Sequence, residues 1–167
     1  MSREVDLLVR AQDLLCDRPG ALRVATTLSH FGEHSLGWFA LAGAGAVVDK
    51  QRRRQWVALG VSAFTSHAAS VVIKRVVRRN RPHDPRIRVG VGTPSKLSFP
   101  SSHSTSTAAA LTSLSQLSGS RLPLAGIPVM MVSRMVLGVH YPTDTLAGAV
   151  LGAATARIVT TIERKTA

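Results

Sequence analysis

Long stretches without charge alternate along the chain with short clusters of arginine and lysine. No Asp, Glu, Lys or Arg occurs in five segments, which are residues 35–48, 55–73, 104–120, 122–133 and 145–156. A helix needs about 20 mostly apolar residues to cross a bilayer, and residues 55–73 nearly reach that length. The segments are rich in Gly, Ala, Ser and Thr, which favours close helix–helix packing in lipid. The pattern therefore predicts helices that lie in a membrane.

The predicted fold class is all-α, a multi-pass transmembrane bundle of roughly four to six helices. The expected spans are residues 56–73, 104–120, 122–139 and 145–162. Residues 5–15 mix apolar and charged positions at helical spacing, which predicts an amphipathic N-terminal helix at the membrane interface. A chain of 167 residues has room for one core, so we expect a single membrane-embedded domain over residues 1–167 in the cell membrane.

The composition excludes several classes of protein. Lys and Arg number 21 against 9 Asp and Glu, a formal net charge of +12, and 45% of the residues are hydrophobic. A disordered basic tail would hold fewer large apolar residues, and a disulfide scaffold needs more than the single Cys16. A basic chain suits nucleic acid, anionic lipid or a phosphorylated substrate. The uncharged segments favour membrane lipids over nucleic acid as partners, and they leave a homo-oligomer open.

Lys74 and Arg81 stand seven residues apart in a basic run that Pro82 follows. Seven residues make nearly two helical turns, so both side chains would project from one face of a helix. Pro82 would then end the helix, because the residue before a proline avoids the α region. Two cations at a helix end predict an anion clamp. The alternative is a charge cluster that only flanks a membrane helix.

A second motif consists of Pro100, Ser101, Ser102 and His103, followed by a run of small residues. A proline and two serines before such a run indicate a helix start. The amides of a first helical turn are free and attract anions, so His103 would lie beside whatever they hold. The alternative is a simple helix cap with an incidental histidine.

Arg134, His140 and Asp144 form the third motif, at the end of an apolar segment. An arginine in that position is costly unless it faces a polar cavity. Pro142 suits the first turn of a new helix, which places Asp144 near His140. A carboxylate there can accept from one imidazole nitrogen and leave the other as a nucleophile. The alternative is a capping aspartate beside a buried polar histidine.

The three motifs, in this order, resemble those of the type 2 phosphatidic acid phosphatase superfamily, which also includes vanadium-dependent haloperoxidases and bacterial acid phosphatases. Written out, they are Lys-x6-Arg-Pro, Pro-Ser-x-His and Ser-Arg-x5-His-x3-Asp, and they cover residues 74–144. The hydrophobic helices around them are similar too. The one visible departure is Ser102, where the family usually has a glycine and hence more backbone freedom.

The resemblance implies a phosphatase that uses neither a metal ion nor a cofactor. His140 would attack phosphorus and form a phosphohistidine, Asp144 would orient it, and His103 would act as acid and then as base. Preplaced positive and dipolar groups would stabilise the phosphate. The residues implied to hold it are Lys74, Arg81, Ser101, Ser102 and Arg134.

The expected spans place all three motifs at one membrane face, which implies a lipid-linked phosphate as the substrate. Overall similarity to actinobacterial members of the family narrows this to a decaprenyl-linked phosphoribose for cell-wall arabinan. Phosphatidylglycerol phosphate, phosphatidic acid and prenyl diphosphate are the alternative substrates, and a non-catalytic basic membrane protein is the more distant alternative. The remaining arginines of the basic loop are expected at the interface with lipid phosphates. They are Arg75, Arg78, Arg79, Arg86 and Arg88.

Overall fold

The computed structural model describes residues 3–166, and the regular structure in this part of the chain is helical. Its α-helices are α1 (Arg3–Leu15), α2 (Ala21–Gly32), α3 (Leu36–Val48), α4 (Arg53–Val77), α5 (Ser102–Ser118), α6 (Gly126–Val136) and α7 (Pro142–Lys165). The extended segment between α4 and α5 forms a bridge between Asn80 and Leu97. The all-α prediction is confirmed, with seven α-helices in the described residues.

Helices α4, α5 and α7 form the centre of the bundle, and α5 is buried although it is polar. All residues from Ser104 to Ser113 are buried. Hydroxyl groups can be buried when they are hydrogen-bonded, and the helix itself supplies acceptors. The Thr105 hydroxyl, for example, donates to the carbonyl of Ser101 at 2.9 Å. Small hydroxyl side chains thus fill the centre, although the buried hydroxyl of Ser113 has no hydrogen-bond partner among the described residues.

Glycines of α7 let this helix approach α5 closely. A Cβ on Gly148 would lie 2.6 Å from the carbonyl oxygen of Ser101, and a Cβ on Gly152 would overlap the carbonyl oxygen of Thr105. The two glycines are four residues apart and therefore lie on one helix face. The absence of side chains on this face sets the distance between α5 and α7.

Helices α4 and α7 are long and apolar enough to cross a bilayer. At 1.5 Å per residue, their 25 and 24 residues extend about 37 and 36 Å, beyond a hydrocarbon core of about 30 Å. Only 33% and 28% of their most apolar windows are buried inside the protein. Large apolar side chains are exposed on both helices, among them Phe64, Val72 and Val150. These surfaces suit contact with lipid.

Two of the expected spans are shorter than the roughly 20 residues that a bilayer-crossing helix needs. Helix α5 lies where residues 104–120 were expected to span, and it has 17 residues, as many as that expected span. The expected span 122–139 is a 3₁₀ turn at Leu122–Ala125 followed by α6, which has 11 residues. Pro123 lies in this turn and Pro128 in the first turn of α6, and proline lacks the amide that a continuous helix needs. Length and composition support α4 and α7 as spans within residues 3–166.

Four helix ends that carry the motifs meet at one end of the bundle. The amide of Ser101, just before α5, donates to the carbonyl of Asp144 in α7 at 3.0 Å. Arg81, which follows α4, donates to the carbonyl of Val139, which follows α6, at 2.8 Å. Arg54 contacts the C-terminal end of α7 at the opposite end of the bundle. The motifs therefore share one end, as their order along the chain predicts.

Helix α4 ends just before Arg78, so Arg81 does not lie on a helix with Lys74. Arg78 adopts a left-handed conformation with φ 53°, and its amide donates to the carbonyl of Lys74, which closes the helix. The chain then extends, and Asn80 pairs with Leu97. The prediction of one helical face for Lys74 and Arg81 was therefore wrong, although both side chains reach the same site.

The amphipathic N-terminal segment forms α1, which packs against the basic loop after α4. The buried Gln12 amide donates to the carbonyl of Arg88 at 2.6 Å. Arg86 pairs with Asp6 at 3.1 Å, and Arg88 pairs with Asp17 at 2.9 Å. Arg86 and Arg88 thus pair with acids of α1 and the turn after it, and their expected place at the interface with lipid phosphates stays a prediction.

We expect Gly152→Ala to destabilise the protein, because the added methyl group meets the backbone of α5. Overpacking of this kind costs about 1–3 kcal/mol, so thermal unfolding in detergent should shift to lower temperature. Gly43→Ala is the matched control, since a Cβ on Gly43 of α3 meets nothing within 4 Å. Equal melting temperatures for the two variants would contradict the close approach of α5 and α7.

Candidate active site

His140 is the centre of the site, and its two ring nitrogens face different partners. It is 2% exposed and lies between α6 and α7. Nη1 of Arg81 lies 3.1 Å from its Nε2, and because arginine only donates, Nε2 offers a lone pair and Nδ1 carries the proton. Nδ1 faces Oδ2 of Asp144 at 3.6 Å, too long for a hydrogen bond. Within residues 3–166 this nitrogen has no hydrogen-bond partner.

The surroundings of His140 keep its imidazole neutral. Burial lowers the pKa of His140 well below its usual value, and the charges of Arg81, Arg134 and Lys74 lower it further. A neutral imidazole with a lone pair on Nε2 is the form that can attack an electrophile. The site therefore holds a neutral imidazole whose Nε2 carries a lone pair.

Lys74 and Arg81 are held by backbone carbonyls. Nζ of Lys74 donates to three carbonyls in the segment before α5, that of Pro100 at 2.9 Å. Nε of Arg81 donates to the carbonyl of Ser95 at 2.8 Å. Burial lowers the pKa of Arg81 to about 10, so the group stays charged at neutral pH. Because carbonyls position a cation without neutralising it, both charges stay available to an anion.

Ser29 of α2 joins two of the motif residues. Its hydroxyl accepts from Nη1 of Arg134 at 2.8 Å, and its carbonyl accepts from Nε2 of His103 at 2.9 Å. A carbonyl cannot donate, so Nε2 of His103 carries a proton and Nδ1 is the free ring nitrogen. Arg134 is 2% exposed, and its Nε has no partner among the described residues. A buried donor left unpaired beside other cations fits an anion site.

Ser101 and Ser102 point in different directions at the start of α5. Ser101 is fully buried, and its hydroxyl caps the helix by accepting from the amide of Ser104 at 3.4 Å. The Ser102 hydroxyl accepts from Ser70 of α4 at 2.8 Å. The helix start predicted at this motif is confirmed. The hydroxyl of Ser101 serves its own helix, whereas Ser102 lies at the cavity in front of His140.

Arg79 belongs to the site, although sequence reasoning placed it at the membrane interface. Its Nη1 donates to Oδ1 of the fully buried Asp144 at 2.9 Å, and its Nη2 donates to Glu4 of α1 at 2.5 Å. Arg79 is one of eight basic residues between positions 74 and 96, and nothing in the sequence distinguishes it. Ser29 was also missed, because it lies outside every motif and only the packing of α2 brings it to the site.

A cavity of about 550 Å³ opens in front of His140. The motif residues that line it are Lys74, Arg81, Ser102, His103, Arg134 and His140. Further polar side chains line the same cavity from the turn after α2 and from α4, and they are Glu33, His34 and His67. The volume lies in the range of small-molecule sites and exceeds what one phosphate group fills. The cavity therefore has room for a phosphate and the group that carries it.

The two acids nearest the far side of His140 from the cavity share one arginine. Asp144 and Glu4 both contact Arg79. Residues 3–166 contain no group of three or more His, Cys, Asp or Glu side chains placed to hold a metal ion. The expectation of chemistry without a metal ion or cofactor stays a prediction.

Two solved structures share the fold of this chain. A transmembrane PAP2-type phosphatidylglycerolphosphate phosphatase from Bacillus subtilis superposes with a TM-score of 0.74 at 23% identity, over 98% of this chain and 88% of that one. LpxE from Aquifex aeolicus gives a TM-score of 0.72 at 19% identity, over 96% of each chain. The fold is that of a transmembrane PAP2 phosphatase, and the predicted association with a membrane is confirmed.

Sequence comparison gives the family. The PAP2 superfamily matches residues 55–166. A relative from Mycolicibacterium smegmatis is 58% identical over 142 residues, which cover 85% of this chain and 79% of the relative. A relative from Mycobacterium tuberculosis is 50% identical over 159 residues, which cover 95% of this chain and 90% of the relative. Both are named decaprenylphosphoryl-5-phosphoribose phosphatase. The chain belongs to the PAP2 superfamily and is a phosphatase by class, which confirms the resemblance that the motifs indicated.

We expect inorganic phosphate to raise the melting temperature of the detergent-purified protein, because the anion would occupy the site formed by the buried cations. A ligand at about 100 times its dissociation constant stabilises a fold by about 2.7 kcal/mol. Arg134→Gln should remove most of this stabilisation. Arg157→Gln is the control, since Arg157 is exposed on α7. An equal effect of chloride at the same ionic strength would contradict a specific phosphate site.

Proposed function

We propose that this protein hydrolyses the 5-phosphate of decaprenylphosphoryl-5-phosphoribose, giving decaprenylphosphoryl-ribose and inorganic phosphate for cell-wall arabinan precursors. The observation that carries the chemistry is the buried, neutral His140 with Arg81 at Nε2 and Asp144 behind Nδ1. The substrate rests on the two mycobacterial relatives named for this activity. The cavity supports it, because its volume accommodates more than a phosphate.

In the first step, Nε2 of His140 attacks phosphorus, and the bond from phosphorus to the sugar oxygen breaks. Arg81 now donates to the lone pair of Nε2, and it would move its donor to a phosphate oxygen when substrate binds. Asp144 stabilises the positive charge that develops on the imidazole. Asp144 is fully buried, and in such surroundings this attraction is stronger than in water.

His103 serves both steps through the same atom. Its Nε2 is engaged by the carbonyl of Ser29, so Nδ1 is the nitrogen that exchanges protons. Nδ1 carries no proton in the free protein, and it takes one up when the negatively charged phosphate binds beside it. Nδ1 then gives this proton to the leaving sugar oxygen. In the second step, Nδ1 takes a proton from water, the water oxygen bonds to phosphorus, and the bond from phosphorus to His140 breaks. Once inorganic phosphate leaves, Nδ1 releases this proton and both histidines return to their starting state.

The phosphate oxygens are bound by groups that are already in place. Lys74, Arg81 and Arg134 neutralise the charge of the transferring phosphoryl group. Ser102 adds its hydroxyl, and the first turn of α5 adds its free backbone amides. The hydroxyl of Ser101 caps the helix and so holds that turn in position. These groups supply the stabilisation, so the proposed reaction uses no metal ion or cofactor.

The proposed placement is a single domain over residues 1–167 that crosses the cell membrane several times. Helices α4 and α7 are the clearest spans, and the site lies at the end of the bundle where α4 ends and α7 begins. A phosphate carried at the head of a polyprenyl lipid would enter this end from the membrane surface. The exposed apolar residues of α4 and α7 give the lipid chain a path alongside the protein.

We expect His140→Ala and His103→Ala to abolish phosphate release while leaving the fold intact. The assay uses detergent-purified protein, prenyl-phosphoribose 5-phosphate and EDTA, and thermal unfolding checks the fold. His83→Ala is the matched control, because His83 is exposed and outside the cavity. Loss of an oxyanion donor lowers the rate by about a hundredfold or more. We therefore expect Arg134→Gln to lower the rate of phosphate release at least that far.

Two outcomes would contradict the proposal. Near-wild-type release by His140→Ala would remove the nucleophile, and loss of activity in EDTA would show a metal requirement. Faster turnover of phosphatidylglycerol phosphate, phosphatidic acid or prenyl diphosphate by the wild-type protein would keep the phosphatase chemistry but replace the substrate.

The polar turn after α2 would contact the sugar. His34 and Ser35 both adopt left-handed backbone conformations, with φ 48° and 63°, which are costly for residues other than glycine. The hydroxyl of Ser35 lies 3.2 Å from Nδ1 of His67, which fastens the turn to α4. His34 and His67 line the cavity beyond the buried cations and offer ring nitrogens to hydroxyl groups.

We expect His34→Ala to raise KM for the prenyl-phosphoribose substrate by about tenfold, the loss of roughly one hydrogen bond, with little change in kcat. A simple prenyl phosphate without a sugar lacks the contact and should show an unchanged KM. An equal change for both substrates would contradict a sugar contact at this turn.

A further inference from the structure

The first turn of α7 is tied to the beginning of α1 by a chain of charged contacts. Nη1 of Arg79 donates to Oδ1 of Asp144 at 2.9 Å, and Nη2 donates to Oε2 of Glu4 at 2.5 Å. The other oxygen of Glu4 accepts from the amide of Thr143 at 3.2 Å and from its hydroxyl. Arg79 also lies over the ring of Tyr141, 4.0 Å from its centre. Glu4 thus lies two hydrogen bonds away from the carboxylate behind His140.

The two oxygens of Asp144 have separate partners. Oδ1 accepts from Arg79, whereas Oδ2 accepts from the amide of Tyr141 at 2.8 Å and is the oxygen that faces His140. Arg79 therefore fixes the rotation of the carboxylate and leaves Oδ2 directed at the imidazole. Asp144 is fully buried, so it has no water to replace a lost partner.

Glu4 neutralises the positive charge that Arg79 brings close to Asp144 and His140. An arginine bound to Asp144 alone would draw on its negative charge and weaken the field that Asp144 exerts on His140. Burial alone would raise the pKa of Glu4, but hydrogen bonds from Thr143 and Arg79 lower it below its ordinary value, so Glu4 is ionised at neutral pH. Glu4 lies outside residues 55–166, the part of the chain that the family matches.

We propose that Glu4 and Arg79 are positioning residues for the phosphatase reaction, with Arg79 orienting Asp144 and Glu4 neutralising Arg79. This inference rests on the proposed function of His140 and Asp144. It makes the amphipathic helix α1 part of the catalytic apparatus, although α1 contributes no group that touches the phosphate. Lys74, Arg81, Arg134 and His103 also face His140 and stay unchanged in every variant below.

The test compares Glu4→Gln with Asp6→Asn, which is a matched change on the same helix. Asp6 also pairs with an arginine, Arg86 at 3.1 Å, but the other carboxylate partner of Arg86 is Asp84 at 2.9 Å. We expect Glu4→Gln to lower kcat by about tenfold, the typical scale for removing a group that orients a catalytic residue, with KM nearly unchanged. Asp6→Asn should change kcat by less than about twofold.

A double-mutant cycle identifies the route of the effect. Arg79→Gln should lower kcat further than Glu4→Gln does, and Glu4→Gln should cost nothing more when Arg79 is already replaced. Arg79→Lys keeps the charge but has one ammonium group, which cannot reach Glu4 and Asp144 in the same geometry, so it should not restore kcat. Melting temperatures in detergent identify any variant that loses activity through unfolding.

Three results would overturn the inference while the wild-type protein is active. These are equal losses in Glu4→Gln and Asp6→Asn, a loss that appears in KM instead of kcat, and a full effect of Glu4→Gln in the Arg79→Gln background. Absence of wild-type turnover with every lipid phosphate tested is a different result, which overturns the proposed function and this inference with it.

Discussion

The repulsion between positively charged side chains that converge on His140 is the constraint on which the site depends. Lys74, Arg81 and Arg134 are buried or half-buried around one cavity, where their mutual repulsion is screened less than in water. Backbone carbonyls hold the first two, and the hydroxyl of Ser29 holds the third. None of these acceptors carries a charge, so the arrangement is completed only by an anion. The close packing of α5 against α7 keeps the helix ends that carry these groups from moving apart.

Much of this arrangement could be predicted because each motif lies at a helix end. Pro100 and the serines after it mark where α5 begins, and Pro142 marks where α7 begins, so the order of apolar segments places these ends together. The same reasoning failed for Arg81. Its position depends on Arg78 leaving the helix in a left-handed conformation and on a pairing with the segment before α5, and neither has a local sequence signal.

The partners of the motif residues could not be predicted from the sequence either, because they too depend on contacts between distant parts of the chain. Arg79 and Arg86 look alike in a basic run, but one reaches Asp144 and the other reaches Asp6. Which arginine pairs with which acid follows from how α1 lies against the loop, 70 or more positions away along the chain. Ser29 contributes a carbonyl as well as a hydroxyl, and a backbone contribution of this kind depends on the path of the helix and not on residue type.

The hydrogen bond from His103 to the carbonyl of Ser29 has a stereochemical consequence. It leaves Nδ1 as the one ring nitrogen that exchanges protons, so with the proposed roles the departing oxygen and the incoming water meet the same atom. Both then occupy the same side of phosphorus, opposite His140. Each in-line displacement inverts the phosphorus centre, and two of them restore its original handedness. A phosphorothioate substrate made chiral with oxygen isotopes, cleaved in water of the third isotope, would therefore give inorganic thiophosphate with retained configuration.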